Sequence, residues 1–258
     1  MRFSFSTAGL FPRNSIESLK LVEKAGFRYA ELMPQCLKET KPDFADEIIR
    51  ETGVKVGSIH FPLVFFSMFY NPYPGMLVEV KELMDDLVEM GGKLGTKIIV
   101  IHPPYFPDDL TREVFERAVF DNLEYLCSKA QENGIKIALE NSPKGGRKAQ
   151  DLLDVIERLN SSNIFPMVDT TEAVESGEDP LNMIGELDVI HLHISDHMDD
   201  TKHLPPGEGK IDWKSILDLL VRKKYDGLIV VEPAYRFFLK NPLDRMRRTL
   251  AFLKGMMI

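Results

Sequence analysis

The stretch DVIHLHISDHMDDTKHLPPGEGKIDWKSILDLLVRKKYDGLIVVEPA (residues 188–234) contains one full turn of a repeating pattern. DVIHLHIS (188–195) alternates as a strand does. A polar loop follows, DWKSILDLLVRKKY reads as a helix, and GLIVVEPA (227–234) is a second strand built on an apolar run. Two strands joined by a helix imply a parallel pair and a βαβ unit. The same stretch holds four of the six histidines, His191, His193, His197 and His203. A hydrophobic core has no need of them there, so the fold and a candidate site are read from the same residues.

Working outward, the rhythm repeats. Strands are expected at 2–8, 29–34, 55–62, 97–104, 136–143 and 165–171, ahead of the two in the opening stretch. Helices are expected at 14–27 and 42–54, from about Met76 to Leu94, from about Thr111 to Asn133, and at 149–160. Others are expected around PLNMIGEL, over DWKSILDLLVRKKY, and over PLDRMRRTLAFLKGMM at the end. Eight strand–helix units in about 250 residues match a single (β/α)8 TIM barrel spanning 1–258. An open doubly wound sheet usually carries a GxGxxG turn after its first strand, and STAGLFPRNS has none.

In such a barrel the chemistry gathers where strands end and βα loops begin. Those positions read His60, His102, Glu140, Asp169, His193 and Glu232 on six successive strands, each after an apolar run. A charged group at the end of a buried strand is costly unless it is paired or metal-bound. Singly, a strand-end histidine is an ordinary hydrogen-bonding residue, and Asp169 ahead of TTEAVESG is an ordinary helix cap. As a set they call for a shared partner. Carboxylates and imidazoles without thiolate suit one divalent ion such as Mn²⁺, Co²⁺, Mg²⁺ or Zn²⁺. Of His191 and His193, two apart on one strand face, one is expected to be a ligand and the other to lie a layer deeper. His197 is expected in a loop.

The motifs ALENSP, MVDTTEAVESG, HLHISDH, HLPPGEGKIDW and VVEP resemble the xylose isomerase-like barrel superfamily, and the resemblance covers essentially the whole chain in element order. That group includes ketose 3-epimerases, hydroxypyruvate isomerases, inosose dehydratases and endonuclease IV enzymes. The epimerase branch implies metal ligands at Glu140, Asp169, His193 and Glu232, with Glu140 and Glu232 also acting as the catalytic acid/base pair. The substrate is then a small sugar or hydroxy-keto acid, and the reaction a proton transfer beside a carbonyl. His60, His102, Glu172 and His203 are the expected substrate-binding residues, and Lys202 is a further candidate. Where ketose epimerases carry a histidine and an arginine for substrate oxygens, this chain has Glu172 and Asp199.

The endonuclease IV branch implies a three-zinc phosphodiesterase acting on abasic DNA, and His60, His102 and His203 fall at its ligand positions. Glu172 and Thr201 replace two of its other ligands. A net charge of −8 also opposes binding to a polyanion. An inosose dehydratase-like lyase is the other alternative. A carboxylate-pair glycosidase leaves Asp169 and His193 without a role.

Cys36 and Cys127 show no metal or redox spacing, which suits a reduced cytoplasmic setting. Nothing resembles a signal peptide or membrane span. Gly207 and Gly209 are expected to form a tight turn, with Trp213 packed at the helix start. The aromatic loop LVFFSMFYNPYPGM (63–76) is expected either to cover the substrate or to pack Phe65, Phe66 and Phe69, within the chain or against another subunit of a homo-oligomer.

Overall fold

The computed structural model describes residues 1–257. Its first strands are β1 (Arg2–Ser6), β2 (Tyr29–Leu32), β3 (Lys55–His60), β4 (Ile98–Ile101), β5 (Lys136–Leu139) and β6 (Ile164–Pro166). After them come β7 (Val168–Asp169), β8 (Leu192–Ile194), β9 (Asp196–Met198), β10 (Thr201–Leu204) and β11 (Leu228–Val231). The helices are α1 (Ser15–Ala25), α2 (Pro42–Glu51), α3 (Phe66–Tyr70), α4 (Pro74–Leu94) and α5 (Asp109–Glu132). They continue with α6 (Ala149–Leu159), α7 (Thr170–Glu175), α8 (Pro180–Glu186), α9 (Trp213–Arg222) and α10 (Pro242–Gly255).

All strands but β9 and β10 form one parallel sheet, in the order β6-β5-β4-β3-β2-β1-β11-β8-β7. Its two ends, β6 and β7, are consecutive in the chain. The sixth barrel strand is therefore split at Met167. Ile164–Pro166 pairs with β5, while Val168 and Asp169 pair with Leu192 and His193 of β8. This split closes the ring and gives the expected (β/α)8 barrel.

Local chemistry places the helices around it. Proline opens α2, α4, α8 and α10, where its missing N–H costs nothing. Asn14 and Asp108 cap α1 and α5 through their side chains. With Asp108 as cap, α5 starts two residues before the position expected from hydrophobic spacing. Two segments read as loops contain structure. The segment 63–76 includes α3, and the polar stretch after β8 is an antiparallel hairpin of β9 and β10. His197 accordingly lies on a strand and not in a loop.

The core has two compartments. The larger lies between strands and helices and includes Phe5, Leu19, Ile48, Ile59, Leu87, Leu126, Leu192 and Ile229. Burying each such side chain contributes about 1.5–3 kcal/mol. The smaller lies inside the barrel, where Ile98, Val100, Ala138 and Met167 meet. That cluster fixes which strand parity faces inward. Two residues further along the same faces come His102, Glu140 and Asp169. Polar side chains also fill the interior, with Ser4, Glu31, Ser58 and His191 all fully buried.

Among the described residues, no helix is long and apolar enough to cross a membrane.

Candidate active site

Strand register brings the site together. Asp169 and His193 are direct partners across β7 and β8. His193 is in turn level with Val230 of β11, so Glu232, two residues on, rises beside it on the same face. Glu140 follows β5, its backbone N–H donating to Ile101 O of β4. One ligand atom from each of Glu140, Asp169, His193 and Glu232 lies within 4.8 Å of all the others.

Each carboxylate is held by neighbours that leave an oxygen for the centre. Asp169 Oδ1 accepts from Glu172 N at 2.8 Å, capping α7. The capping role and the clustered role thus coexist in one side chain. Asn141 braces the same residue, accepting from Asp169 N at 2.6 Å and donating to Asp169 O at 3.1 Å. Asp169 Oδ2 is buried with no hydrogen-bond partner. Ser6 Oγ donates to Glu232 Oε1 at 3.1 Å. His193 Nδ1 lies 2.7 Å from Glu140 Oε1 and from Glu232 Oε2, aligned for a hydrogen bond with neither. An orphaned imidazole nitrogen facing three carboxylates is a donor set that a divalent cation fits.

The electrostatics carry the same message. Burial works against ionisation of Glu140, yet the His193 charge and the close imidazoles of His102 and His60 hold its carboxyl well below the usual range. Glu232 is half-buried, and His193 pulls it below its ordinary value against the cost of desolvation. Against its own burial, His193 is raised well above the ordinary imidazole value by Glu232, Glu31 and Glu140. Asp169 is pushed up to about 7, by burial first and then by Glu140 and Glu172. The cluster is short of positive charge.

The other expected residues surround this group. His60 Nε2 and His102 Nε2 lie 3.3 Å and 3.1 Å from Glu140 Oε2. His60 Nδ1 lies 2.8 Å from Phe61 O. His203 Nε2 lies 3.1 Å from Glu172 Oε1, and its Nδ1 is 3.0 Å from Ser195 Oγ. All of them except His193 line a cavity of about 250 Å³ at the barrel mouth, with Ala8, Met33, Leu63, Pro233, Ala234 and Tyr235 forming its apolar side. Lys202 instead pairs with Glu175 on the surface. A larger hollow of about 620 Å³ lies at the opposite end, ringed by Arg2, Lys55, Lys97 and Lys136. It gathers no comparable set of acids and imidazoles.

The aromatic segment packs within the chain, and its first residue, Leu63, also lines the cavity. Phe69 is buried against Phe61 and Phe66. Phe66 also meets the His102 ring edge-on at 5.8 Å, so the aromatic segment forms one wall behind that histidine. In the hairpin, Asp196 organises the turn. It accepts from the backbone N–H groups of Gly207 and Ile211 and from Trp213 Nε1. Gly207 has φ +93°, and a side chain at Gly209 would collide with Asp196, which explains both glycines.

Sequence reading missed Glu31. It is fully buried at the end of β2 and receives Ser58, His191 and His193. His191 lies beneath His193, as expected of one of that pair. The signal for Glu31 was present in YAELMP, an acid in an apolar run at a strand end.

His203 provides a pH test. Against its burial, the Glu172 hydrogen bond and the Asp169 charge raise its pKa to about 9 from 6.5. Its stabilisation is fully present below about pH 6.5 and is lost as pH rises through 9, because the folded state gives up its extra proton there. The expected size is on the order of 2–3 kcal/mol. His203 has φ +49°, which asparagine tolerates, so His203→Asn isolates the side chain. In urea titrations with chelator present, the gap between the two proteins should be widest at pH 6 and closed by pH 10. A pH-independent gap would remove the ion pair from the account.

A (β/α)8 barrel with acids and imidazoles converging at its mouth defines the class. The sequence profile described as xylose isomerase-like TIM barrel matches residues 19–256, and the chain belongs to that family. The uncharacterized protein MJ1311 of Methanocaldococcus jannaschii is 32% identical over 165 residues, 58% of this chain. The match spans 55% of that protein, about half its length. Inosose isomerase of Halalkalibacterium halodurans is 23% identical over 238 residues, 85% of this chain and 82% of that protein. Among solved structures, a D-tagatose 3-epimerase-like protein superposes with a TM-score of 0.79 at 22% identity, covering all of both chains.

Proposed function

We propose that this protein is a divalent-metal-dependent sugar isomerase or epimerase that moves a proton at a carbon next to a carbonyl. The observation that carries the reading is the quartet of Glu140, Asp169, His193 and Glu232, with Asp169 Oδ2 and His193 Nδ1 buried and unpartnered at its centre. One Mn²⁺, Co²⁺, Mg²⁺ or Zn²⁺ held there would polarise the carbonyl and stabilise charge developing on its oxygen. Glu140 and Glu232 come from different sides of the ring, and both face the pocket. One takes the proton from the substrate carbon and the other returns one, in the manner of a positioned acid/base pair. His60, His102, Glu172 and His203 hold the substrate hydroxyls. The same reading takes 1–258 as one catalytic domain in the cytoplasm.

The pocket wall narrows the substrate. Among the described residues lining it there is no lysine or arginine, so a phosphate or carboxylate would enter facing acids with no cation to meet it. An uncharged small ketose or ketopolyol fits better than a hydroxy-keto acid. Incubation in deuterated water with manganese and a panel of free ketoses, inososes and their phosphates tests this. A free sugar should gain deuterium beside its carbonyl, and the phosphates should not. Turnover without deuterium uptake would instead indicate hydride transfer or hydrolysis.

A second reading is favoured by one observation. His60, His102 and Glu140 form a further group able to hold an ion, adjoining the quartet through Glu140. Three zinc ions per chain by elemental analysis, together with incision of abasic duplex DNA, would select the phosphodiesterase alternative.

A further inference from the structure

We infer that Glu31 is a positioning residue, which holds the His193 ring so that Nδ1 faces the quartet as a free lone pair. The inference rests on the quartet reading above and adds a residue that takes no part in that chemistry.

Three donors converge on the Glu31 carboxylate, Ser58 from β3 and His191 and His193 from the β8 segment. Ser58 Oγ donates to Oε2 at 2.8 Å, and His191 Nε2 lies 2.9 Å from the same oxygen. His193 Nε2 lies 3.0 Å from Oε1 and 3.2 Å from Oε2. All four side chains have no solvent exposure. An ionised carboxylate offers only acceptors, so each imidazole must present an N–H at Nε2. For a neutral imidazole that choice leaves Nδ1 without a proton. In His193, Nδ1 is the atom surrounded by Glu140 and Glu232. Metal-ligating histidines commonly have the other ring nitrogen tied to a carboxylate in this way, and losing the outer partner typically lowers metal affinity 10–100-fold.

Geometry requires an acid at position 31. A glutamine in the same place has one acceptor oxygen and one NH₂ group. With three donors arriving, the NH₂ must face an N–H or force a ring to change tautomer. If His193 changes, its proton moves to Nδ1 and points into the quartet, where it blocks coordination. The Ser58 and His191 bonds fix the carboxylate at the bottom of the site. Glu31 itself does not line the substrate cavity.

The test is ion binding by the full-length metal-free protein, measured with manganese and with zinc against a competing chelator at pH 7.5. Glu31→Gln should bind 10–100-fold more weakly than the wild type with the quartet unchanged. Nitrogen-15 imidazole spectra of the metal-free proteins, followed to a pH high enough to neutralise His193, give a second readout. Wild-type His193 should carry its proton at Nε2 when neutral, and the variant should show the Nδ1 form. If Glu31→Gln does not fold, Glu31→Asp keeps the charge and withdraws the carboxylate, and it should also bind more weakly. Wild-type affinity together with an unchanged Nε2–H signature in a folded variant would overturn the assignment. Asp169→Asn separates the two claims. If that variant binds normally the quartet reading fails, and if it loses the ion while both position-31 variants bind normally, only the role of Glu31 fails.

Discussion

Asp169→Asn is expected to leave the barrel folded and abolish tight metal binding. Asparagine caps a helix as well as aspartate does, so the bond from Glu172 N to Oδ1 survives. What disappears is the anionic Oδ2, the oxygen with no other partner. Loss of an outer hydrogen-bond partner costs 10–100-fold, so loss of a direct ligand should cost more, on the order of 1,000-fold or about 4 kcal/mol. His193→Ala should do the same. Chelator competition for manganese or zinc measures the affinity, and a thermal melt in chelator confirms the fold. Full occupancy in both variants would show that the quartet does not hold the ion.

Glu232→Gln should reduce turnover by 10²–10⁴-fold when metal is saturating, the range associated with a single general acid or base. The amide keeps the size of the side chain, and its oxygen can still accept from Ser6 Oγ, so the pocket retains its shape. The amide cannot shuttle a proton. Deuterium uptake at the substrate carbon should fall together with the rate of product formation. If exchange stays at the wild-type rate while product formation stops, Glu232 acts after proton removal, and Glu140 alone is the base.

The barrel could be read from the sequence because its signals are local. Apolar runs such as IIVI and LIVV need only their own composition to read as buried strands, and Pro42, Pro180 and Pro242 mark helix starts directly. The strand-end acids and histidines followed from the same rule. What the sequence did not show depends on long-range partners. Asp196 looks like one more acid in an acidic loop, and its role emerges only when Gly207, Ile211 and Trp213 fold back onto it. Glu31 obeyed the strand-end rule as well as Glu140 does. Its meaning came from His191 and His193, which lie 160 and 162 residues away. The hairpin of β9 and β10 was hidden because its residues are mostly polar and lack the alternation by which strands are recognised.

The division of the sixth strand at Met167 has a consequence for the lifetime of the protein. β7 meets β8 through only two aligned residue pairs, Val168 with Leu192 and Asp169 with His193. Local opening, as seen by amide exchange or proteolysis, should start where a ring has so few cross-strand bonds. Two of the four quartet residues are the upper pair of that junction, so an ion bound there acts as a clasp across it. Free ion at a hundred times its dissociation constant would raise the cost of any opening that releases it by about 2.7 kcal/mol. That is roughly a hundredfold fewer open molecules. Exchange at Val168–Glu172 and Leu192–Ile194 should slow selectively when metal is added, and the rest of the barrel should change far less. Metal supply in the cell would then govern how much of the protein survives as well as how fast it turns over.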